Sequence, residues 1–202
     1  TATTAIYTLS LHDALPISSA MSQLRCTAAT SAAGSGRAAA LTAPYGMLPA
    51  GIYRADESRS PQEEAQSRQG VPLDDRHFLR RFPVWGDFRG NLGVQLSQAM
   101  ALAAAARLLE DGEARTLAEA QLDWTLGRNP FAQSLMYGVG HEYAPQYTAM
   151  SGDMVGSLPV GIQSRRAGDE PYWPPSNCFN YAEVWVHPAI RWLGIMAELD
   201  PD

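Results

Sequence analysis

The 202-residue chain contains no lysine: its 15 basic residues are all arginine, set against 21 acidic ones for a net charge of -6. Arginine alone on the basic side reads as codon bias in a GC-rich source, and no basic cluster is longer than Arg80-Arg81 or Arg165-Arg166. An acidic chain without a basic stripe is not expected to bind nucleic acid. Cysteine is equally scarce. Cys26 and Cys178 are too few and too far apart in sequence for a disulfide framework or a zinc site, and His77 and His141 lack ligand spacing to each other or to a carboxylate pair. Neither a metal nor a cofactor is expected. Long hydrophobic runs are missing as well: Gln98 and Arg107 bound the alanine-rich stretch between them, short of the roughly 18–20 apolar residues of a spanning helix. A membrane partner is therefore not expected. What is present, 46% hydrophobic and 18% charged residues, is the composition of a globular domain or of a piece of a larger one.

The run from Ile6 to Ile17 reads as one frame of a widely used short-read sequencing adaptor. Residues 1–18 are accordingly expected not to belong to the natural chain, whose frame would continue upstream, and His12 and Asp13 are set aside as site residues. The competing reading, a short secretory or amphipathic N-terminus, lacks an initiating Met, a basic n-region and a continuous apolar h-region. From Ser19 to Leu41 the chain is Ala, Ser, Thr and Gly, a low-complexity linker or a frayed helix remnant.

Thr42 to Ile52 reads as a loop with apolar anchors, and Asp56 to Asp75 as a solvated surface excursion. Apolar residues at three and four spacing predict a helix over Asn91–Glu110, with Leu92, Leu96, Ala99, Ala103, Ala106 and Leu109 inward. A second helix is expected over Ala114–Leu126, with Gly127 and Pro130 ending it, so that the two form an antiparallel hairpin. Phe131 to Asn180 is loop-like, and a loop of that length inside a domain is usually functional. A last helix is expected from about Tyr181 to Leu199, kinked or restarted at Pro188, with Val184, Trp185, Ile190, Leu193, Met196 and Ala197 facing inward. Strand signals are sparse. The fold expected from these patterns is all-α, helical hairpins with long loops at one end.

The long loop mixes Tyr137, Tyr143, Tyr147, Tyr172 and Trp173 with His141, Glu142, Gln146, Asp153, Arg165, Arg166, Asp169 and Glu170. Aromatic faces suit the C–H faces of sugar rings, and hydrogen-bonding side chains suit their hydroxyls; ordinary loop anchoring is the commoner use of such residues. Glu183 follows Asn180 at capping-box spacing, which gives it a structural reading as the N3 partner of an Asn cap. Its neighbours Phe179, Tyr181 and Trp185 are also the surroundings that suit a general acid, so both readings stand. His187, without a Cys, Ser or second His nearby, reads as structural. Ser151-Gly152-Asp153 and Gly138-Val139-Gly140 lack the flanking strand and helix of a nucleophile elbow or a phosphate loop.

The block Leu126-Gly127-Arg128-Asn129-Pro130, followed by Ser134, Gly138-Val139-Gly140, Tyr143, Pro145 and Gln146, resembles the C-terminal part of glycoside hydrolase family 9, the family of many cellulases. Leu158-Pro159-Val160-Gly161, the stretch Asp169 to Trp173, and Phe179 to Leu199 resemble that family's closing segment. The resemblance is firm from about Phe82 to Leu199 and weaker back to Leu41. It implies that residues 42–202 are the C-terminal part of an (α/α)6 barrel of the six-hairpin glycosidase type. It further implies hydrolysis of β-1,4-glucan-type bonds in a polysaccharide or oligosaccharide with inversion, and Glu183 as the general acid. The family's base is an Asp in an Asp-Ala-Gly-type motif, which the sequence does not contain; this chain alone is then expected to be inactive, with apolar helix faces exposed. Secretion, or a periplasmic location, follows only from the family, because polymeric substrates lie outside cells.

Two departures bear on the substrate. Tyr147-Thr148-Ala149-Met150 stands where the cellulases have a His-His-Arg cluster that holds the sugar, and Ala182 stands where they have Asn immediately before the acid. Gln146, Tyr147, Arg165 and Trp173 are the candidate sugar contacts in place of that cluster. The alternative functions are a non-catalytic carbohydrate-binding barrel, or another (α/α) barrel enzyme such as a sugar epimerase or an unsaturated-uronide hydrolase.

Overall fold

The computed structural model describes residues 44–82, 92–147, 152–164, 168–173 and 179–200. The expected adaptor and linker, 1–18 and 19–41, together with Arg165, Arg166 and both cysteines, lie outside those residues.

Helices dominate, but a small sheet joins them. Strand β1 (Gly51–Arg54) pairs antiparallel with β3 (His77–Arg80), and β3 with β2 (Val71–Pro72), in the order β1-β3-β2. The expectation of an all-α fold holds in part: helices carry the fold, and this small sheet was not expected beside them. The strands are short, and β3 alternates, turning Phe78 and Arg80 inward while His77 and Leu79 stay half-exposed. Such brief alternation is hard to distinguish from loop in a single sequence. Between β1 and β2, the stretch expected to be wholly solvated folds into a 3-10 turn (Ala55–Glu57) and helix α1 (Pro61–Ser67). Ser60 caps α1 by accepting from Glu63 N at 3.2 Å, Pro61 opens it, and its Gln66 and Ser67 are buried.

Helix α2 (Leu92–Leu109) and helix α3 (Gly112–Thr125) form the expected hairpin. Asp111 serves as the N-cap of α3, accepting from Glu113 N and Ala114 N at 3.0 and 3.1 Å. Leu92, Leu96, Ala99, Ala103 and Ala106 are buried as the periodicity requires, whereas Leu109, at the last turn of α2, is exposed. By length and composition α2 could cross a membrane, which the sequence reading had excluded; in this fold its buried stripe is part of the core formed with Ala118 and Trp124 of α3.

The closing segment is broken where a continuous helix was expected. A single helical turn, α4 (Phe179–Ala182), is followed by extended residues 183–185, and helix α5 runs Val186–Leu199 with Pro188 in its first turn. Packing of α5 on α2 brings Gly194 against Met100 Sδ and Arg191 Nε to Ser97 Oγ at 2.8 Å. That choice of face buries Pro188, Ile195 and Leu199 and leaves Ile190, Leu193, Met196, Ala197 and Trp185 exposed, the reverse of the expected inward set. A two-stranded ribbon, β4 (Gln163–Ser164) with β5 (Pro171–Tyr172), completes the described elements.

Candidate functional site

The loop after α3 is held by its own polar residues. Buried Asn129 donates through Nδ2 to the carbonyls of Trp124 and Gln133, both at 2.8 Å, and its Oδ1 accepts from Phe131 N at 3.1 Å. Gly140 lies at φ +84°, where a Cβ would fall 2.6 Å from the Leu126 carbonyl oxygen, so the Gly138-Val139-Gly140 turn is a close approach of backbones. Ser134 N donates to the His141 carbonyl at 2.7 Å, and Ala144 N to the Ser134 carbonyl at 2.8 Å, which folds the loop back toward Tyr147.

Two backbone segments then enclose Glu183. On one side Val160 N donates to the Glu183 carbonyl at 2.7 Å, Gly161 N to that of Tyr181 at 2.8 Å, and Trp185 N to that of Leu158 at 3.1 Å. On the other side Tyr147 N donates to the Ala182 carbonyl at 2.8 Å, making Tyr147 and Glu183 partners in a parallel bridge. Glu183 is thus extended backbone in a short ladder. It lies beyond the turn that contains Asn180, and not at the third position of a helix capped by Asn180; the capping-box reading does not hold. Its carboxylate accepts from Trp185 Nε1 at 2.7 Å, and the side chain is half-exposed.

The other sequence-predicted residues are distributed around this ladder. Tyr147 is beside Glu183, 37% exposed, with its ring 6.3 Å from that of Phe179. Gln146, its neighbour, is buried and accepts from the Ser157 hydroxyl through Oε1. Trp173 is half-buried against the core and meets Tyr181 edge-on, ring centroids 5.4 Å apart. Arg165 lies outside the described residues. Asp169, read as one of many loop polar groups, is buried and accepts from Arg81 N and Phe82 N at 2.9 and 2.8 Å. Asp153 accepts from the Tyr137 hydroxyl at 2.8 Å, and that bond holds the Tyr137 phenol above the ordinary tyrosine pKa. No cluster of three or more His, Cys, Asp or Glu able to hold a metal occurs among the described residues.

Sequence reasoning missed the contact of Trp185 with the Glu183 carboxylate. Trp185 was assigned to the inward face of a helix, but extended backbone turns it to the same side as Glu183, two positions earlier. The signal available was Pro188, whose place in a first turn puts the residues before Val186 outside the helix.

A family model described as Glycosyl hydrolase family 9 matches residues 47–156, just over half of the chain. The match includes Gln146 and Tyr147 and stops short of Glu183. No curated protein and no solved structure matches the chain.

Proposed function

The chain belongs to glycosyl hydrolase family 9, and from that premise we propose that it is the C-terminal part, residues 42–202, of an (α/α)6 catalytic domain that cleaves β-1,4-glucan-type bonds with inversion. Glu183 is the general acid. The observation that carries this reading is the placement of its carboxyl: half-exposed, on a rigid backbone ladder, with one oxygen at 2.7 Å from the Trp185 indole and aromatic rings on its flanks.

Inversion needs two carboxyl groups on opposite faces of the sugar, one to protonate the leaving oxygen and one to activate water. Glu183 fits the first role, since a carboxyl fixed at the surface can meet a glycosidic oxygen without rearranging its backbone. The second belongs to the Asp-Ala-Gly-type motif that this sequence does not contain, so the base is supplied by protein upstream of these residues. A glucan polymer substrate places the enzyme outside the cell. Tyr147 is the sugar contact adjacent to the acid, Trp173 is a more remote one, Arg165 is a further sugar contact, and Gln146 acts through Ser157 to hold the loop behind Tyr147.

The test uses the protein with its upstream frame restored from the genomic locus and a soluble β-1,4-oligosaccharide. Glu183→Gln lowers kcat about 10²- to 10⁴-fold, the usual worth of general acid catalysis, and NMR of the first product shows the α-anomer. Full activity in Glu183→Gln removes that residue from the mechanism. An unchanged chain length with an altered sugar configuration points to an epimerase, and binding without any turnover points to a carbohydrate-binding barrel, which the missing Asp motif would also fit.

A further inference from the structure

Away from the ladder that holds Glu183, the loop after α3 presents a second surface that the proposed reaction does not use. Ser134 clamps this loop on both sides of a short excursion, its N–H donating to the His141 carbonyl at 2.7 Å and its carbonyl accepting from Ala144 N at 2.8 Å. Glu142 and Tyr143 are pushed out between the clamps, Glu142 at φ +40° and Tyr143 45% exposed. A non-glycine residue in that backbone region costs about 1–3 kcal/mol and persists only where its surroundings over-determine it, as the paired Ser134 bonds do here. Tyr137 backs Tyr143 edge-on, ring centroids 5.0 Å apart, and is itself fixed: its hydroxyl donates to Asp153 Oδ2 at 2.8 Å, its N–H to the Ser157 carbonyl at 3.1 Å, and its carbonyl accepts from Gly156 N at 2.8 Å. The turn 154–157 closes through Ser157 N to the Met154 carbonyl at 3.1 Å, with Gly156 at φ +87°. It lifts Val155, 74% exposed, over Gly138, where an added Cβ would fall 2.9 Å from Val155 Cγ2.

The surface combines an exposed ring with hydrogen-bond acceptors. Because the Tyr143 ring is braced by Tyr137, stacking on its open face freezes little further side-chain freedom. Asp153 keeps Oδ1 without a partner among the described residues, and Glu142, adjoining Tyr143, is exposed, so carboxylate acceptors for sugar hydroxyls accompany the apolar face. The surface is also distinct from the acid: Tyr147 meets Phe179 and pairs with Glu183, Tyr143 meets Tyr137, and Ala144 and Gln146 between the two tyrosines are buried. We propose that Tyr143, Glu142 and Asp153 form a surface subsite for a β-linked pyranose of a long glucan chain, apart from the point of cleavage. Tyr143 stacks on the sugar ring and the two carboxylates take its hydroxyls. The subsite retains polymer on the enzyme and has no part in breaking the bond. The proposal rests on the glucan-hydrolase reading and deepens it, because it separates polymer from short oligosaccharide as substrates.

The experiment uses the protein with its upstream frame restored and compares a soluble β-1,4-glucan polymer with cellotetraose, for the parent, Tyr143→Ala, Asp153→Ala and Tyr143→Phe. The two alanine variants raise the polymer KM about three- to tenfold, the worth of one stacking contact or one acceptor. Their kcat/KM on cellotetraose stays within about twofold of the parent, as for other surface substitutions, and that turnover also verifies that each preparation is folded. Tyr143→Phe keeps the ring face and matches the parent on polymer. An unchanged polymer KM in both alanine variants overturns the subsite while the glucan reading stands. Equal losses on polymer and cellotetraose overturn it too, because they make Tyr143 and Asp153 supports of the cleavage point. A parent that cleaves neither substrate overturns the glucan reading, and this inference with it.

Discussion

The carboxylate of Asp74 organises the turn between β2 and β3. Its Oδ1 accepts from Arg76 N and His77 N, both at 2.8 Å, and its Oδ2 pairs with His77 Nδ1 at 2.7 Å. These bonds, the one from Arg76 N first, favour the charged form and hold the carboxyl down to about 2. The sign follows from linkage: a carboxylate depressed in the fold contributes stability that is whole above its ordinary value near ~4 and is lost as pH falls through about 2. Asp74→Asn is therefore expected to melt below the parent at pH 5 and to converge with it toward pH 2, measured as melting temperature against pH. A gap that persists unchanged at the acid end would assign the effect to the lost turn geometry and not to charge. At this scale the sequence was only partly legible. Glu183 and Tyr147 are singled out by the family resemblance and not by spacing, whereas the contacts of Asp74, Asp169 and Trp185 depend on which backbone N–H or carboxylate each one meets, and no spacing rule carries that.

The crossing of two elements at Gly161 couples the fold to the candidate acid. Val160 accepts from Leu92 N at 3.1 Å, the first residue of α2, while Val160 N and Gly161 N bind the segment that carries Glu183. Gly161 has φ +113°, and a Cβ there would lie 2.5 Å from Leu92 Cβ and 2.7 Å from Leu92 N. Neither neighbour is the free end of a flexible side chain, so the backbones must part. Gly161→Ala is expected to cost about 2–4 kcal/mol in urea unfolding, from positive-φ strain together with overpacking. Gly112→Ala, where nothing lies within 4 Å of the added Cβ, is expected to be neutral or slightly stabilising. Equal losses in the two variants would contradict the close approach. The element scale also shows why α2 and α3 were readable and the closing segment was not. Helices of 18 and 14 residues announce their period by length and by apolar residues at three and four spacing. Helix α5 is the more one-sided helix, yet the face it buries is decided by the fit of Gly194 and Arg191 to Met100 and Ser97, a tertiary choice. Strands of two to four residues have too few alternations to stand out from loop.

Across the described residues, the sheet at one end of the sequence and the loop leading to the acid at the other are tied by the buried charge pair of Arg80 with Asp169. Arg80 is fully buried, donating from Nη1 to the Gln66 carbonyl at 2.6 Å, from Nε to that of Phe82 at 3.0 Å and from Nη2 to that of Gly168 at 3.1 Å. Its Nε stands 3.4 Å from Asp169 Oδ1. Burial draws the guanidinium below the usual arginine pKa, and the Asp169 charge opposes that shift. Asp169 in turn satisfies the N–H groups of Arg81 and Phe82. Removing the carboxylate leaves a buried cation uncompensated and two backbone donors without that acceptor, so Asp169→Ala is expected to cost about 3–5 kcal/mol in urea unfolding. Asp169→Asn, which keeps an acceptor oxygen but not the charge, falls between. Because the pair is shielded from solvent, added salt changes the difference little, in contrast to exposed pairs such as Arg115 with Glu119. A loss below about 1 kcal/mol for Asp169→Ala would mean that the sheet and the loop are held by apolar packing alone. The expected loss reaches the candidate site by a short path: Asp169 anchors the strand that precedes Trp173, Trp173 meets Tyr181 edge-on, and the Tyr181 carbonyl is bound by Gly161 on the ladder that holds Glu183. Weaker cellotetraose binding in Asp169→Ala, at a temperature where the variant is still folded, is the readout that separates this path from a purely global effect on stability.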